Sequence, residues 1–206
     1  MRIRQFGCFG TFNATLDSCN QATRWCLHQD CTPSILELKT TIEGTTIMTI
    51  IAKGHCTCGT IRYEVKRPPL FVHCCHCRRC QRESGSAFAL NALIEADNVK
   101  LLSGAPEIID TPSDSGKGQL ISRCPDCKVA VWSIYHGAGP RFFFLRVGTL
   151  ENPDAFAPDI HIYTESKQPW VRLPEGVSAV PGYYRRSEYW PQESLQRREK
   201  ALSEPD

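Results

Sequence analysis

Six consecutive residues, Cys75-His76-Cys77-Arg78-Arg79-Cys80, limit what this chain can fold into more than any other feature. Three thiols in a C-x-C-x-x-C array sit on a turn tight enough to converge on one soft cation. Thiols spaced this closely rarely bond to one another in a relaxed geometry. Three protein sulfurs leave a tetrahedral ion one free position, which is the arrangement of catalytic zinc. A fourth ligand, from Cys74 or His76, would turn the same array into a structural site. A second set of four thiols stands on the flanks, as Cys56-Thr57-Cys58 upstream and Cys124-Pro125-Asp126-Cys127 downstream. The two sets read as one closed structural zinc and one open, reactive zinc. Spacing alone leaves the partition open, because Cys56 and Cys58 could instead share an ion with Cys75 and Cys77.

The chain holds 12 cysteines in 206 residues. In a secreted chain so many would read as a disulfide framework. Eight of them fall at 56, 58, 74, 75, 77, 80, 124 and 127, in clusters that suit a metal better. The N-terminus has no signal-peptide hydrophobic core, so a reducing, cytoplasmic setting is expected. The net charge is +2, and no segment is strongly basic: residues 48–184 carry 15 Lys and Arg against 13 Asp and Glu. That balance argues against nucleic acid as the main partner. No apolar run is long enough to span a bilayer, which argues against a membrane-spanning role.

Three regions are expected. Residues 1–47, with Cys8, Cys19, Cys26 and Cys31 at wide spacing, read as an N-terminal extension, disordered or artefactual. Two further readings of it, a mitochondrial presequence and a third zinc site, fit its composition and spacing poorly. Residues 48–184 read as one zinc-binding domain, and residues 185–206 as a charged tail, an exposed short helix or disorder. Within the domain, Thr60 to Val65 alternates as a half-buried strand. Leu70 to His73 is a short apolar run leading straight into the cysteine array. Gln81 to Ser86 reads as a helical turn capped by Gly85. Strands are expected at Ala87–Ile94, Asn98–Leu102, Glu107–Thr111 and Gln119–Arg123. Val129–Tyr135 and Arg141–Val147 flank a Gly-Pro turn as a hairpin. Prolines at 153, 158, 169, 174 and 181 leave room only for short elements beyond it, such as Ile160 to Tyr163.

Arg78, Arg79 and Arg82 surround the three-thiol array. They are candidates for clamping substrate carboxylates in bidentate fashion, against the plainer reading of a solvated basic face. His55, His73 and His76 could shuttle protons or simply hold a sulfur or a backbone carbonyl. Trp132, Phe142, Phe143 and Phe144 read as core, and Tyr135 and His136 as weaker pocket candidates.

These motifs resemble a known family. Gly54-His55-Cys56-Thr57-Cys58-Gly59 is similar to its opening signature. Cys75 through Arg82 with Ser84-Gly85-Ser86 resembles its central one. Cys124-Pro125-Asp126-Cys127 resembles its knuckle and Pro169-Trp170 its late tryptophan. The family is that of the glutathione-dependent formaldehyde-activating enzymes, which also includes centromere protein V. The resemblance runs from about Met48 to Tyr184. It implies a small all-β, zinc-stapled fold of packed antiparallel sheets. It implies two zinc ions: a structural one on Cys56, Cys58, Cys124 and Cys127, and a catalytic one on Cys75, Cys77 and Cys80. The implied activity is carbon–sulfur lyase chemistry on adducts of glutathione, or a related thiol, with a small aldehyde such as formaldehyde. Cys74 is an extra thiol beside the family's array. It could close the site as a fourth ligand or serve a redox or formaldehyde sensor. A non-catalytic zinc module that binds a protein is the alternative class.

Overall fold

The computed structural model describes residues 50–113 and 116–204. The expectations for residues 1–47, the extension and its four cysteines, lie outside the described residues.

Strands β1 (Ala52–His55), β2 (Arg62–Val65) and β3 (Phe71–Cys75) lead into helix α1 (Arg78–Ser84). Strands β4 (Ala89–Glu95), β5 (Val99–Ser103), β6 (Glu107–Thr111), β7 (Gln119–Arg123), β8 (Ala130–Tyr135) and β9 (Phe142–Arg146) follow. The chain closes with β10 (Ile160–Ile162), β11 (Ser178–Ala179), α2 (Arg186–Tyr189) and α3 (Gln192–Ser203). The elements expected inside the domain are present within a residue or two. The helical turn differs most: it begins at Arg78, so the last thiol of the array lies on its first turn. Gly85 ends it with φ 63°, the left-handed value that glycine adopts without a Cβ penalty.

The strands form two sheets. One has three strands in the order β1-β2-β5, and the other eight in the order β11-β10-β3-β4-β9-β8-β7-β6. The sheets are all-β as expected and mostly antiparallel, but β10 runs parallel to both β3 and β11. The chain between β3 and β10 is long enough for a crossover, which an antiparallel hairpin would not need.

Side-chain alternation gives the large sheet two buried faces. Val72, Ala92, Ile94, Val131 and Leu145 share one cluster with Tyr63 and Val65 of the small sheet and with Ile61 just before it. Phe71, Leu93, Phe142, Ile160 and Ile162 belong to a second cluster, closed by Trp190 and flanked by Leu195 and Ala201 of α3. β3 is buried along its whole length because both faces are covered. The tail is helical as one expectation had it and much of it is exposed, but one side of α3 is covered: Ser194 is buried, and Leu195 and Ala201 pack on the large-sheet cluster. Arg197 holds α3 there through a bidentate ion pair to Glu95 (2.9 and 2.7 Å) and a bond to the Pro68 carbonyl (2.9 Å).

Candidate functional site

Two knuckles build the first thiol group. Gly59, at φ +79°, turns the chain after Cys58, and its amide bonds the Cys56 carbonyl at 3.0 Å. The Ile61 amide donates to the Cys56 sulfur at 3.3 Å. In the second knuckle the Lys128 amide bonds the Cys124 carbonyl at 3.0 Å, with Lys128 at φ 60°. The Thr60 hydroxyl donates to Asp126 at 2.6 Å and ties one knuckle to the other. Gly54 serves packing rather than the turn: a Cβ there would lie 2.3 Å from the Tyr63 ring. Cys56, Cys58, Cys124 and Cys127 come together with all four sulfurs within 4.8 Å of one another. Cys56–Cys58 and Cys58–Cys124 are 3.4 and 3.6 Å apart. A tetrahedron of Zn–S bonds near 2.3 Å has an edge of about 3.7 Å, so the group fits a zinc ion.

The second group forms where β3 gives way to α1. Cys75 is the last residue of the strand and Cys77 the N-cap of the helix, its sulfur accepting the Cys80 amide at 3.3 Å. The sulfurs of Cys75, Cys77 and Cys80 lie within 4.8 Å of one another. Donation from Cys75, then from Cys80, holds the Cys77 thiol well below the ordinary thiol range. The same pairing pushes Cys75 the other way. Three sulfurs held this close together suit a soft cation.

Cys74 does not join them. Alternation along β3 turns it to the opposite face, where its sulfur lies 3.6 Å from His76 Nε2. His76 Nε2 in turn lies 3.0 Å from His161 Nδ1, and His161 is the register partner of Cys74 in the β3–β10 pairing. These three buried residues are close enough to share an ion. Yet His76 Nδ1 and His161 Nε2 are buried with no partner among the described residues. A metal-bound imidazole ordinarily donates its second nitrogen to an acceptor, so a hydrogen-bonded histidine pair describes the group better.

All three sulfurs of the second group line a cavity of about 430 Å³, within the range of small-molecule sites. Its walls include His73, Tyr135, Phe142, Phe144, Tyr163 and Tyr183. Burial, and then the charge of Arg186, lower His73 to about 4, so its imidazole is neutral at physiological pH. Trp190 Nε1 donates to the Tyr184 hydroxyl (2.7 Å), which shares a hydrogen bond with His73 Nε2 (2.6 Å). Burial, and then the charge on Cys80, raise the Tyr135 phenol, which keeps its proton.

Of the three arginines singled out beside the array, only Arg79 lines this cavity. Arg78 and Arg82 open on a separate groove with Gln168 and the exposed Trp170, because a helix turns its successive residues to different sides. His55 bonds the Cys56 carbonyl at 2.8 Å and stays with the first group. Trp132 and Phe143 stack in the core (5.1 Å), whereas Phe142, Phe144 and Tyr135 reach the cavity. Arg146, Arg186 and Arg198 also line it. Sequence reasoning missed them, since they lie more than sixty positions from the array and no local spacing marks them.

The family model described as glutathione-dependent formaldehyde-activating enzyme matches residues 51–166, more than half of the 206. No curated protein matches the chain. Among solved structures, the crystal structure of a Rhodobacter sphaeroides protein, a structural-genomics target, is 21% identical with a TM-score of 0.39. That match covers 50% of this chain and 93% of that one.

Proposed function

The chain belongs to the family of glutathione-dependent formaldehyde-activating enzymes, and from that premise we propose that it is a zinc-dependent carbon–sulfur lyase. Its substrates in this reading are adducts of a small aldehyde with glutathione or a related thiol. One observation carries it: three sulfurs, and no fourth donor grouped with them among the described residues, line a cavity of ligand size. Cys75, Cys77 and Cys80 would hold the reactive zinc, and Cys56, Cys58, Cys124 and Cys127 a structural one. A zinc ion on three thiolates supplies Lewis acidity and makes a neighbouring thiol thiolate-like near neutral pH.

The chain's own residues do the rest. The substrate sulfur bonds the aldehyde carbon, and the carbonyl oxygen takes up the proton the thiol gives up; the reverse step breaks the same C–S bond. Tyr135, kept protonated by burial, offers a hydrogen bond to that oxygen. Phe142, Phe144 and Tyr183 wall the cavity and keep bulk water from the adduct. Arg79, on the first turn of α1, adds positive charge beside the sulfurs.

Exchange spectroscopy between formaldehyde and glutathione tests the reading on the zinc-loaded chain. The wild type should exceed the uncatalysed exchange. Cys77→Ser should lose about a hundredfold or more, since even the outer partners of metal ligands are worth about 10–100-fold. Exchange at the uncatalysed rate in the wild type would leave the chain a zinc-binding module without this activity.

A further inference from the structure

The cavity beside the three thiols carries positive charge from a segment beyond the family match. That match ends at residue 166, and Arg186 and Arg198 lie past it. Both are half-buried. The Arg186 guanidinium sits 6.0 Å over the Trp190 ring, and that of Arg198 sits 5.8 Å over the Phe142 ring. A guanidinium held by its face against a ring keeps the N–H groups along its edge for another partner. Among the described residues, neither arginine has a carboxylate within ion-pair distance. Among the described residues Glu83 is the one acid on the cavity wall, and it is engaged by Arg123.

The placement of Arg198 follows from the anchoring of α3. Glu95 and Phe142 are direct partners in the β4–β9 register. Arg197 pairs with Glu95, and the adjacent Arg198 lies over Phe142. Consecutive helix positions point about 100° apart, so the residue that pins the helix also aims its neighbour at the cavity. Burial, then the charge of Arg186, lower the Arg198 guanidinium, with Tyr183 and the adjacent Glu199 acting more weakly the other way. Arg146, on the thiol side of the cavity, is spent on neutral partners, the Asn91 side-chain oxygen and the Ser133 hydroxyl.

We propose that Arg186 and Arg198 form a carboxylate clamp by which the C-terminal segment selects thiol substrates that carry a carboxylate away from the sulfur. The inference rests on the reading of this cavity as the thiol-substrate site. A carboxylate takes two guanidinium forks through parallel charge-assisted hydrogen bonds, in a geometry a lysine does not reproduce. The segment thus acts as a specificity element added to the family's sheet core.

Calorimetric titration of the zinc-loaded full chain with glutathione and with glutathione diethyl ester tests this, without dependence on turnover. Wild type should bind glutathione at least tenfold more tightly than the ester. Arg198→Met and Arg186→Met should each lose about tenfold for glutathione, leave the ester unchanged, and weaken the dependence on salt. Arg198→Lys should restore only part of the loss. Thermal melts matching the wild type confirm that α3 remains docked; Arg186→Met, which lies outside α3, serves if Arg198→Met melts early. Equal affinity of the wild type for both ligands overturns the clamp and leaves the thiol site standing, as does full retention of glutathione affinity in both variants. Failure of the wild type to bind either ligand overturns the substrate reading itself, and the clamp with it.

Discussion

The two cysteine groups offer the same chemistry in opposite settings. The four-sulfur group joins the β1–β2 connection to the β7–β8 turn, two places 66 residues apart, with Cys56 and Cys124 in the core and Cys58 at the surface. The three-sulfur group joins nothing distant: its ligands lie on one strand end and the first turn of the helix that follows. A cross-link between distant segments turns metal affinity into folding free energy. A local group at a cavity contributes little to folding, and its affinity is available for a ligand. Loop length and surroundings, rather than residue type, separate a staple from a reactive centre.

The strongest test of that contrast is removal of one sulfur from each group. Cys124→Ser should abolish cooperative unfolding, because structural zinc is worth about 10–16 kcal/mol in small domains and total stability only about 5–15. Cys77→Ser should keep a cooperative melt close to that of the wild type and lose one metal per chain. Metal stoichiometry with thermal circular dichroism measures both. A Cys77→Ser chain that unfolds as completely as Cys124→Ser would erase the distinction.

Much of this contrast was legible in the sequence. C-x-C and C-x-x-C carry their own geometry, and the strand pattern around them is set by local alternation, so Thr60–Val65, Glu107–Thr111 and the hairpin at Gly137–Pro140 were readable. Two features were not. Cys74 could be weighed as a fourth ligand only until β3 was seen to run through Cys75, which puts 74 and 75 on opposite faces. The role of the tail depends on a single long-range pairing, Glu95 with Arg197, and on a tryptophan buried at 190. Neither leaves a periodic trace, and the charge balance of residues 185–206 reads as a solvated segment.

A test of intermediate size asks whether the cavity side depends on that tail. Glu95 and Arg197 are each only 11% exposed. Burial raises the Glu95 carboxyl, but the bonds from Arg197 outweigh it and the net shift is downward. A carboxyl depressed in the folded state stabilises fully above its ordinary value of 4.5, and that stabilisation is lost as pH falls through the lower folded value. Arg197→Ala should cost about 3 kcal/mol, because it leaves a buried charge unpaired, and should weaken glutathione binding by displacing α3. Pairing it with Glu95→Leu should recover most of the stability. Chemical denaturation at pH 7 and in acid reads out both effects. The four-sulfur group should keep its metal in each variant, since the core cluster that holds Cys56 and Cys124 contains no residue of the tail among the described residues.

The smallest effect concerns a side chain that spans the two groups. Arg123, directly before Cys124, donates to the Lys128 carbonyl inside the knuckle (2.9 Å) and pairs with Glu83 on α1, the helix that carries Cys80. If the groups are independent, this strut only braces the loop. The pair is partly exposed, at 26% and 18%, so solvent screens it and Arg123→Met should cost no more than about 1 kcal/mol. Metal competition should then give affinities at both groups within about fivefold of the wild type, since 1.4 kcal/mol is a factor of about ten. A tenfold loss confined to the three-sulfur group would mean that the knuckle sets the tilt of α1. The staple would then hold the reactive sulfurs in position as well as the sheets.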